Sequence, residues 1–362
     1  MGTIALKLMP MKVKRSGPRR LVIIGGYPPP VGGVSIHIKR LVEKAFEDGY
    51  CCEVIDSSSN EKSQPYVINK RDYSRLLKAL LRRDKIIHIH VSDTSKMKAF
   101  IFLTVSVIGK VTRSPTVVTF HSEFKNPRLL ESTATFMKSI SRIIAVGPHI
   151  REKLISSGID SRRISVIPAF ISPRTDSGNQ LDIPESVKIF MSTHSPIICA
   201  NAYDIPSNKD DFYGVGMCVE LCDSLREEYP RVGILVVNQN AYMHDWMLRL
   251  RDKIEERKLQ ENLMMLNEPV NFFSVIQRSD VFIRPTLTDG DSISLREALY
   301  VGTSVVASDV VPRPEGTILF KTKSIEDLTS SVKAAINCRK QNSPPKRTDS
   351  FAERIMDLYE SL

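Results

Sequence analysis

Tryptophan occurs once in the 362 residues, and aromatic side chains make up 7%. So thin a supply gives no interleaved aromatic and basic pattern, and none of the usual nucleic-acid motifs is present, so nucleic acid is not the expected partner. No apolar run reaches the roughly 18 residues needed to cross a bilayer. The start of the chain shows no secretory pattern: the apolar run at 21–24 is too short for a signal core, and Arg19 and Arg20 precede it directly. Met1-Gly2 lacks the Ser or Thr at position six that myristoylation favours. The six cysteines form no C-x-x-C pair, which points to a reducing cytoplasm and no structural zinc. Cys218 and Cys222 lie one helical turn apart and read as a buried helix face.

What is present describes a globular protein of two domains: 42% hydrophobic and 25% charged residues in a chain long enough for two ordinary cores. Its net charge of +10 is unevenly placed. Residues 1–180 hold 30 Lys and Arg against 14 Asp and Glu, and the remainder holds 21 against 27. The first half is therefore strongly basic and the second mildly acidic. This asymmetry suits an anionic membrane surface facing the first half, or simply a basic, well-solvated surface.

Strands and helices alternate in two blocks. Residues 1–18 form a basic arm with Pro10 and Pro18, and a first domain spans 19–175. It opens with a strand at 21–25, a loop carrying Pro28-Pro29-Pro30-Val31-Gly32-Gly33, and a helix over 35–47. A strand, a glycine-rich loop and a helix start are the parts of a phosphate cradle. The loop is neither G-x-G-x-x-G nor a Walker sequence, and such glycines also serve purely structural turns. His37 and Lys39 on that helix read as surface or core side chains without chemistry. A strand at 53–56, a polar connection over 57–70, a basic helix over 71–83 and a strand at 86–91 follow. His88 and His90 share one face of that last strand. With no third ligand nearby, they read as packing rather than as a metal site. Residues 96–113 are apolar between Lys96, Lys98, Lys110 and Arg113. They form either a buried helix of the domain or one that presses on a bilayer. The strand at 116–120 ends in His121, and a polar residue at a strand's C-terminal end faces the ligand crevice. Residues 172–184 make a hinge, a second domain spans 185–340, and a helix over 348–362, with Ser350 and Glu353 as its capping box, closes the chain.

Residues 279–316 organise the second domain. A strand at 281–283 runs through Arg284 into a turn at Asp289-Gly290-Asp291. A helix follows, capped by Ser292 or Ser294 and ended by Gly302, and then a strand at 305–307. The unpaired amides at the helix start favour an anion. Asp289 and Glu297, with seven residues between them, can face one cleft, although Glu297 could instead close a capping box with Ser294. A D-x-D metal site at 289–291 is disfavoured by its place between strand and helix.

This stretch resembles the E-x7-E signature of family-4 retaining glycosyltransferases of the GT-B fold. The resemblance is carried by Asp289, Glu297-Ala298-Leu299, Gly302 and Val305-Val306-Ala307-Ser308. The loop Pro29-Pro30-Val31-Gly32-Gly33-Val34 is similar to the family's PP-x-GG-V loop, and the Arg284-Pro285-Thr286 and Asp289-Gly290-Asp291-Ser292 blocks resemble a subgroup that builds bacterial surface polysaccharides. The resemblance implies an α/β fold with two Rossmann-like domains, parallel sheets facing across a cleft, and a C-terminal helix crossing back to the first domain. It implies a nucleotide-sugar donor, no cofactor and no metal. His121 would lie near the donor sugar, Asp289 would hold the transferred sugar and Glu297 the ribose hydroxyls. Gly32, Gly33, Arg284, Gly290, Asp291, Ser292, Ile293 and Ser294 would complete the donor site. The acceptor would be a lipid-linked saccharide or an oligosaccharide. The protein would be cytoplasmic, held to the inner face of the cytoplasmic membrane through the basic first domain. The chain departs from the family in one place: the stretch 201–214 lacks the usual Arg, and Tyr213 stands where the Lys before Gly214 is expected. Arg284 or Lys209 would then clamp the diphosphate, although Arg284 could equally pair with Asp289 or Asp291. A catalytically silent GT-B scaffold and a sugar-nucleotide epimerase are the rival readings.

Overall fold

The structure, a computed structural model, describes residues 19–57, 64–69, 71–92, 96–122, 137–173, 183–202, 211–238, 245–338 and 351–362. The basic arm, most of the hinge, Lys209, the 339–349 linker and Ser350 lie outside the described residues.

Two parallel sheets account for the alternation. The first holds β1 (Arg20–Gly25), β2 (Cys51–Asp56), β3 (Val67–Asn69), β4 (Lys85–Val91), β5 (Thr116–Phe120), β6 (Arg142–Ala145) and β7 (Ile164–Val166), in the order β3-β2-β1-β4-β5-β6-β7. The crossovers carry α1 (Gly33–Glu47), α2 (Tyr73–Leu81), α3 (Lys96–Thr112) and α4 (Pro148–Ser156). The second sheet holds β8 (Ile197–Ala202), β9 (Gly233–Asn238), β10 (Leu263–Leu266), β11 (Val281–Arg284), β12 (Ser304–Ser308) and β13 (Thr317–Phe320), in the order β10-β9-β8-β11-β12-β13. Its helices are α5 (Glu185–Thr193), α6 (Val215–Leu225), α7 (Asp245–Glu256), α8 (Phe272–Gln277), α9 (Ile293–Val301) and α10 (Ile325–Cys338). The strands are buried β-branched and apolar runs, such as Val281-Phe282-Ile283, because helices cover both faces of a parallel sheet. In each sheet the strand order reverses once, at β1/β4 and at β8/β11. Open α/β sheets bind ligands in the crevice at such points.

The chain ends in α11 (Phe351–Glu360), which packs on the first domain. Tyr359 is fully buried there and hydrogen-bonds His88, while Arg354 Nη2 donates to the Val166 carbonyl at 2.7 Å. The helix therefore crosses back as the resemblance implied. Cys218 and Cys222 lie on the buried face of α6, and burial pushes the Cys222 thiol up to about 12. Three elements differ from the sequence reading. Val67–Asn69 is a strand paired with β2, inside what reads as a polar connection. Helix α5 and strand β13 complete the second domain. The two strands are short, and a three- or four-residue strand carries almost no periodicity to read.

Candidate donor site between the two domains

The site grows from the end of β11. Val281, Phe282 and Ile283 are fully buried, so the strand is fixed and Arg284 emerges at its C-terminal end. The turn that follows returns Asp289 to Arg284. Arg284 Nε and Nη2 each donate to a different Asp289 oxygen at 3.1 Å, a bidentate pair. Arg313, in the loop after the neighbouring strand β12, donates Nη1–H to the same carboxylate at 2.6 Å. It also bonds the Ser308 carbonyl and hydroxyl and Thr286 Oγ1. Asp289 is thus held between two buried guanidinium groups, leaving one excess positive charge. Burial alone would push its carboxyl up; Arg284 and then Arg313 overcome that and hold it well below the usual carboxylate range.

Tyr213 supports this arrangement. Its ring lies 5.5 Å from the Arg284 guanidinium carbon, within cation–π reach. The residue that replaces the expected Lys therefore braces an arginine instead. Helix α6 begins just after it at Gly214, in the left-handed region (φ 68°), where a Cβ would strike the Pro285 carbonyl. The Asp211 carboxylate accepts from the Val215 and Gly216 amides at 2.9 and 2.6 Å. A carboxylate therefore already occupies that helix N-terminus.

Helix α9 starts at Ser292, whose hydroxyl accepts from the Leu295 amide at 3.3 Å, and ends at Gly302 (φ 81°). Ser292, not Ser294, is the cap. Glu297 does not close a capping box: it is 5% exposed and reaches across to Arg40 of α1. Arg40 also donates to the Ile171 carbonyl at 3.0 Å. The start of α9 docks on the first domain throughout. Ile293 packs among Ile89, Val91, Phe120 and Phe170. Asp291 accepts from the Ala169 amide at 2.8 Å and from Arg296 at 2.5 Å. Burial raises its carboxyl, and Arg296 opposes that. Gly290 lies so close to the His121 carbonyl that a Cβ would collide with it.

His121 follows β5 and is 8% exposed. It has company that the sequence reading did not give it. His90 Nδ1 lies 2.9 Å from His121 Nε2, and His37 of α1 packs on both, with ring centroids 5.2 Å from His90 and 5.1 Å from His121. His90 therefore does have further possible ligands nearby, contrary to the expectation from sequence: α1 and β5 bring His37 and His121 to the same point. One nitrogen from each of His37, His90 and His121 lies within 4.8 Å of the others, so this trio is where a metal could be held among the described residues. In the structure His37 Nδ1 bonds the Ala169 carbonyl at 2.5 Å, and His88 bonds Thr119 Oγ1 at 2.7 Å as well as Tyr359. Burial holds all four rings neutral. It lowers His37 to about 4 and the others well below the ordinary histidine value.

Gly32 and Gly33 start α1, the helix that carries His37 and Arg40. The Gly32 amide donates to Ser35 Oγ at 2.9 Å, and the space above Gly33 is open. The structure thus gathers six of the site residues read from sequence into two groups. Gly290, Asp291, Ile293 and Glu297 contact the first domain, while Arg284 pairs with Asp289. It adds Arg313, Arg40, His37 and His90. Arg313 follows a strand end in the same crevice, and Arg40 lies one turn beyond His37, so position alone could have nominated both.

Comparison with known proteins agrees with this geometry. Residues 31–174 match the family model described as Glycosyltransferase Family 4. No protein of curated function matches the chain in sequence. Among solved structures, HepE from Anabaena in complex with UDP and glucose is similar over 95% of this chain and 100% of that one, at 11% identity and a TM-score of 0.67. A glycosyltransferase from Rickettsia africae is similar over 95% and 98%, at 16% identity and 0.66. The lipopolysaccharide outer core galactosyltransferase WaaB is similar over 95% and 100%, at 12% identity and 0.59. Residues 31–174 are thus similar to family-4 glycosyltransferases, and the chain as a whole has the two-domain GT-B fold.

Proposed function

We propose that the protein moves a hexose from a nucleoside diphosphate sugar to a lipid-linked saccharide, with retention of anomeric configuration and without a metal. The setting is surface-polysaccharide assembly (exopolysaccharide, capsule or lipopolysaccharide) at the inner face of the cytoplasmic membrane. The observation that carries this reading is the convergence of Arg284 and Arg313 on Asp289, beside the start of α9 and across from His121. As the bond from the sugar C1 to the leaving phosphate oxygen breaks, its electron pair goes to the diphosphate. Two guanidinium groups and the first amides of α9 are the donors that stabilise that charge. The acceptor oxygen bonds C1 from the same face, and its proton passes to the departing phosphate. Asp289, which the resemblance assigns to the transferred sugar, has both oxygens taken by Arg284 and Arg313; in this reading it keeps the two guanidinium forks aligned instead and frees donors from them as the diphosphate arrives. Glu297 exchanges Arg40 for the ribose hydroxyls. His121, neutral, exchanges a hydrogen bond with a sugar hydroxyl without adding charge beside the forming oxocarbenium ion.

Uridine is the first base to test, because HepE is described in complexes with UDP and with UDP-glucose. Lipopolysaccharide is a natural setting to test, because WaaB is described as acting on its outer core. The purified protein, incubated with a UDP-, GDP- or ADP-hexose and a bacterial lipid extract, will yield a glycolipid whose new linkage has the donor's anomeric configuration by NMR. An epimerised nucleotide sugar formed without any acceptor would contradict the reading.

A further inference from the structure

Two outer helices of the first domain carry large apolar side chains into solvent at a regular spacing. On α2 these are Tyr73, Leu77 and Leu81, at 75, 57 and 52% exposure. On α3 they are Leu103, Val107 and Val111, at 38, 52 and 68%. Each set follows i, i+4, i+8 and so forms a continuous stripe along its helix. The inner faces are accounted for separately: Leu76, Ala79 and Leu80 of α2 pack on Val22, Ile55 and Ile68, and Val105 of α3 packs in the core under β4 and β5. The stripes are thus additional to the core-facing surfaces. The β3-to-β4 and β4-to-β5 crossovers run the same way across the sheet, and right-handed connections put both helices on one face of it. The two helices touch.

Cations frame the stripes. Lys78, Arg82 and Arg83 are exposed on α2 and at its end, and Lys110 and Arg113 at the end of α3. They belong to the half of the chain where Lys and Arg outnumber Asp and Glu 30 to 14. No helix among the described residues is long and apolar enough to cross a membrane. Apolar stripes framed by lysine and arginine suit a surface that lies in the headgroup region, with aliphatic side chains dipped into the acyl boundary and cations on lipid phosphates.

We propose that the paired outer face of α2 and α3 docks this protein on an anionic bilayer, with the stripes Tyr73-Leu77-Leu81 and Leu103-Val107-Val111 as the inserted surface. The proposal deepens the membrane-facing part of the proposed function by naming the surface. It does not depend on the donor chemistry. Docking there brings the first domain to a lipid-borne acceptor.

The test is co-sedimentation of the full chain with vesicles of phosphatidylcholine alone and of phosphatidylcholine with phosphatidylglycerol. Wild type will bind the mixed vesicles, and 0.5 M salt will weaken that binding, by about tenfold, more than it weakens any binding to the neutral ones. Leu77→Asp with Val107→Asp will lower partition into mixed vesicles about tenfold or more. Because these side chains are exposed, that variant will keep the wild-type melting temperature and the wild-type affinity for whichever nucleotide sugar the wild type binds. Lys78→Glu with Arg82→Glu will lower binding to mixed vesicles and abolish its salt dependence. Failure of wild type to bind mixed vesicles, or equal binding by the Leu77/Val107 variant, would overturn the proposal. So would a concentration-dependent dimer in sedimentation velocity that the variant loses, which would make the stripes a contact between two copies. Vesicle binding without nucleotide-sugar binding would sink the transferase mechanism and leave this surface standing.

Discussion

Arg40, on the first helix of the first domain, pairs with Glu297, on helix α9 of the second. Both side chains are nearly buried, at 11 and 6% exposure, so the pair is a fixed contact between the two domains. Under the proposed function Glu297 holds the ribose hydroxyls, and donor and Arg40 would then compete for one carboxylate.

Removing Arg40 should therefore expose that competition. Arg40→Ala is expected to raise the radius of gyration in small-angle scattering, because the ion pair through Glu297 is one of the contacts that dock α9 on the first domain. The same variant is expected to bind nucleotide sugar about fivefold more tightly, since less of the population is locked against it. Weaker binding, with an unchanged radius, would mean that Arg40 supports the donor instead of competing with it.

The Arg284–Asp289–Arg313 group gives a second prediction. Arg313→Lys keeps a charge but not the fork, so donor affinity should fall about tenfold while the fold survives. Arg313→Ala leaves Asp289 with one partner in a buried place and is expected to cost roughly 3 kcal/mol of stability as well. Calorimetric affinity and thermal melting of both variants separate the two effects. If Arg313→Lys binds donor as wild type does, the second guanidinium is structural only.

Gly290 tests the closeness of the domains. A methyl group there would meet the His121 carbonyl, so Gly290→Ala must hold the two surfaces apart. Turnover should drop by about 100-fold, since a misplacement of about 1 Å costs that much, while nucleotide binding on the second domain changes little. Full turnover in this variant would show that the contact opens in the reactive state.

Acid should loosen the first domain. His37 has a folded pKa of about 4 against an ordinary value of 6.5, lowered by burial. Between those values the unfolded chain binds a proton that the folded chain excludes. Stability is therefore complete above pH 6.5 and is lost as pH falls towards 4, by about 3 kcal/mol for His37 alone. His88, His90 and His121 are shifted the same way. A melting series from pH 7.5 to 5 should show the decline, and His37→Asn should make it less steep. A melting temperature that rises on acidification would contradict the buried, neutral cluster.

Much of this architecture is legible in the sequence, because parallel strands and their helices leave long-period patterns. The strand at 281–283, the glycine stop at 302 and the terminal helix are local features, each set by apolar runs or caps. What could not be read locally is partnership. Arg313 and Asp289 are 24 positions apart, and Arg40 and Glu297 are 257 apart. No spacing rule connects them, because β12 and α1 place them and not the turn in which each lies. Tyr213 illustrates the same limit. As a substitution for Lys it reads as a loss, and only the fold shows it bracing Arg284. The histidines were separable on paper and are one cluster in space.

The most direct test of the account is isothermal titration of UDP-, GDP- and ADP-sugars into wild type, Glu297→Ala and Arg284→Ala. The account predicts that wild type binds one of these donors and that both variants lose it, Glu297→Ala through the ribose and Arg284→Ala through the diphosphate. Wild type that binds none of them, with or without membranes present, would contradict it and leave a GT-B scaffold without a donor.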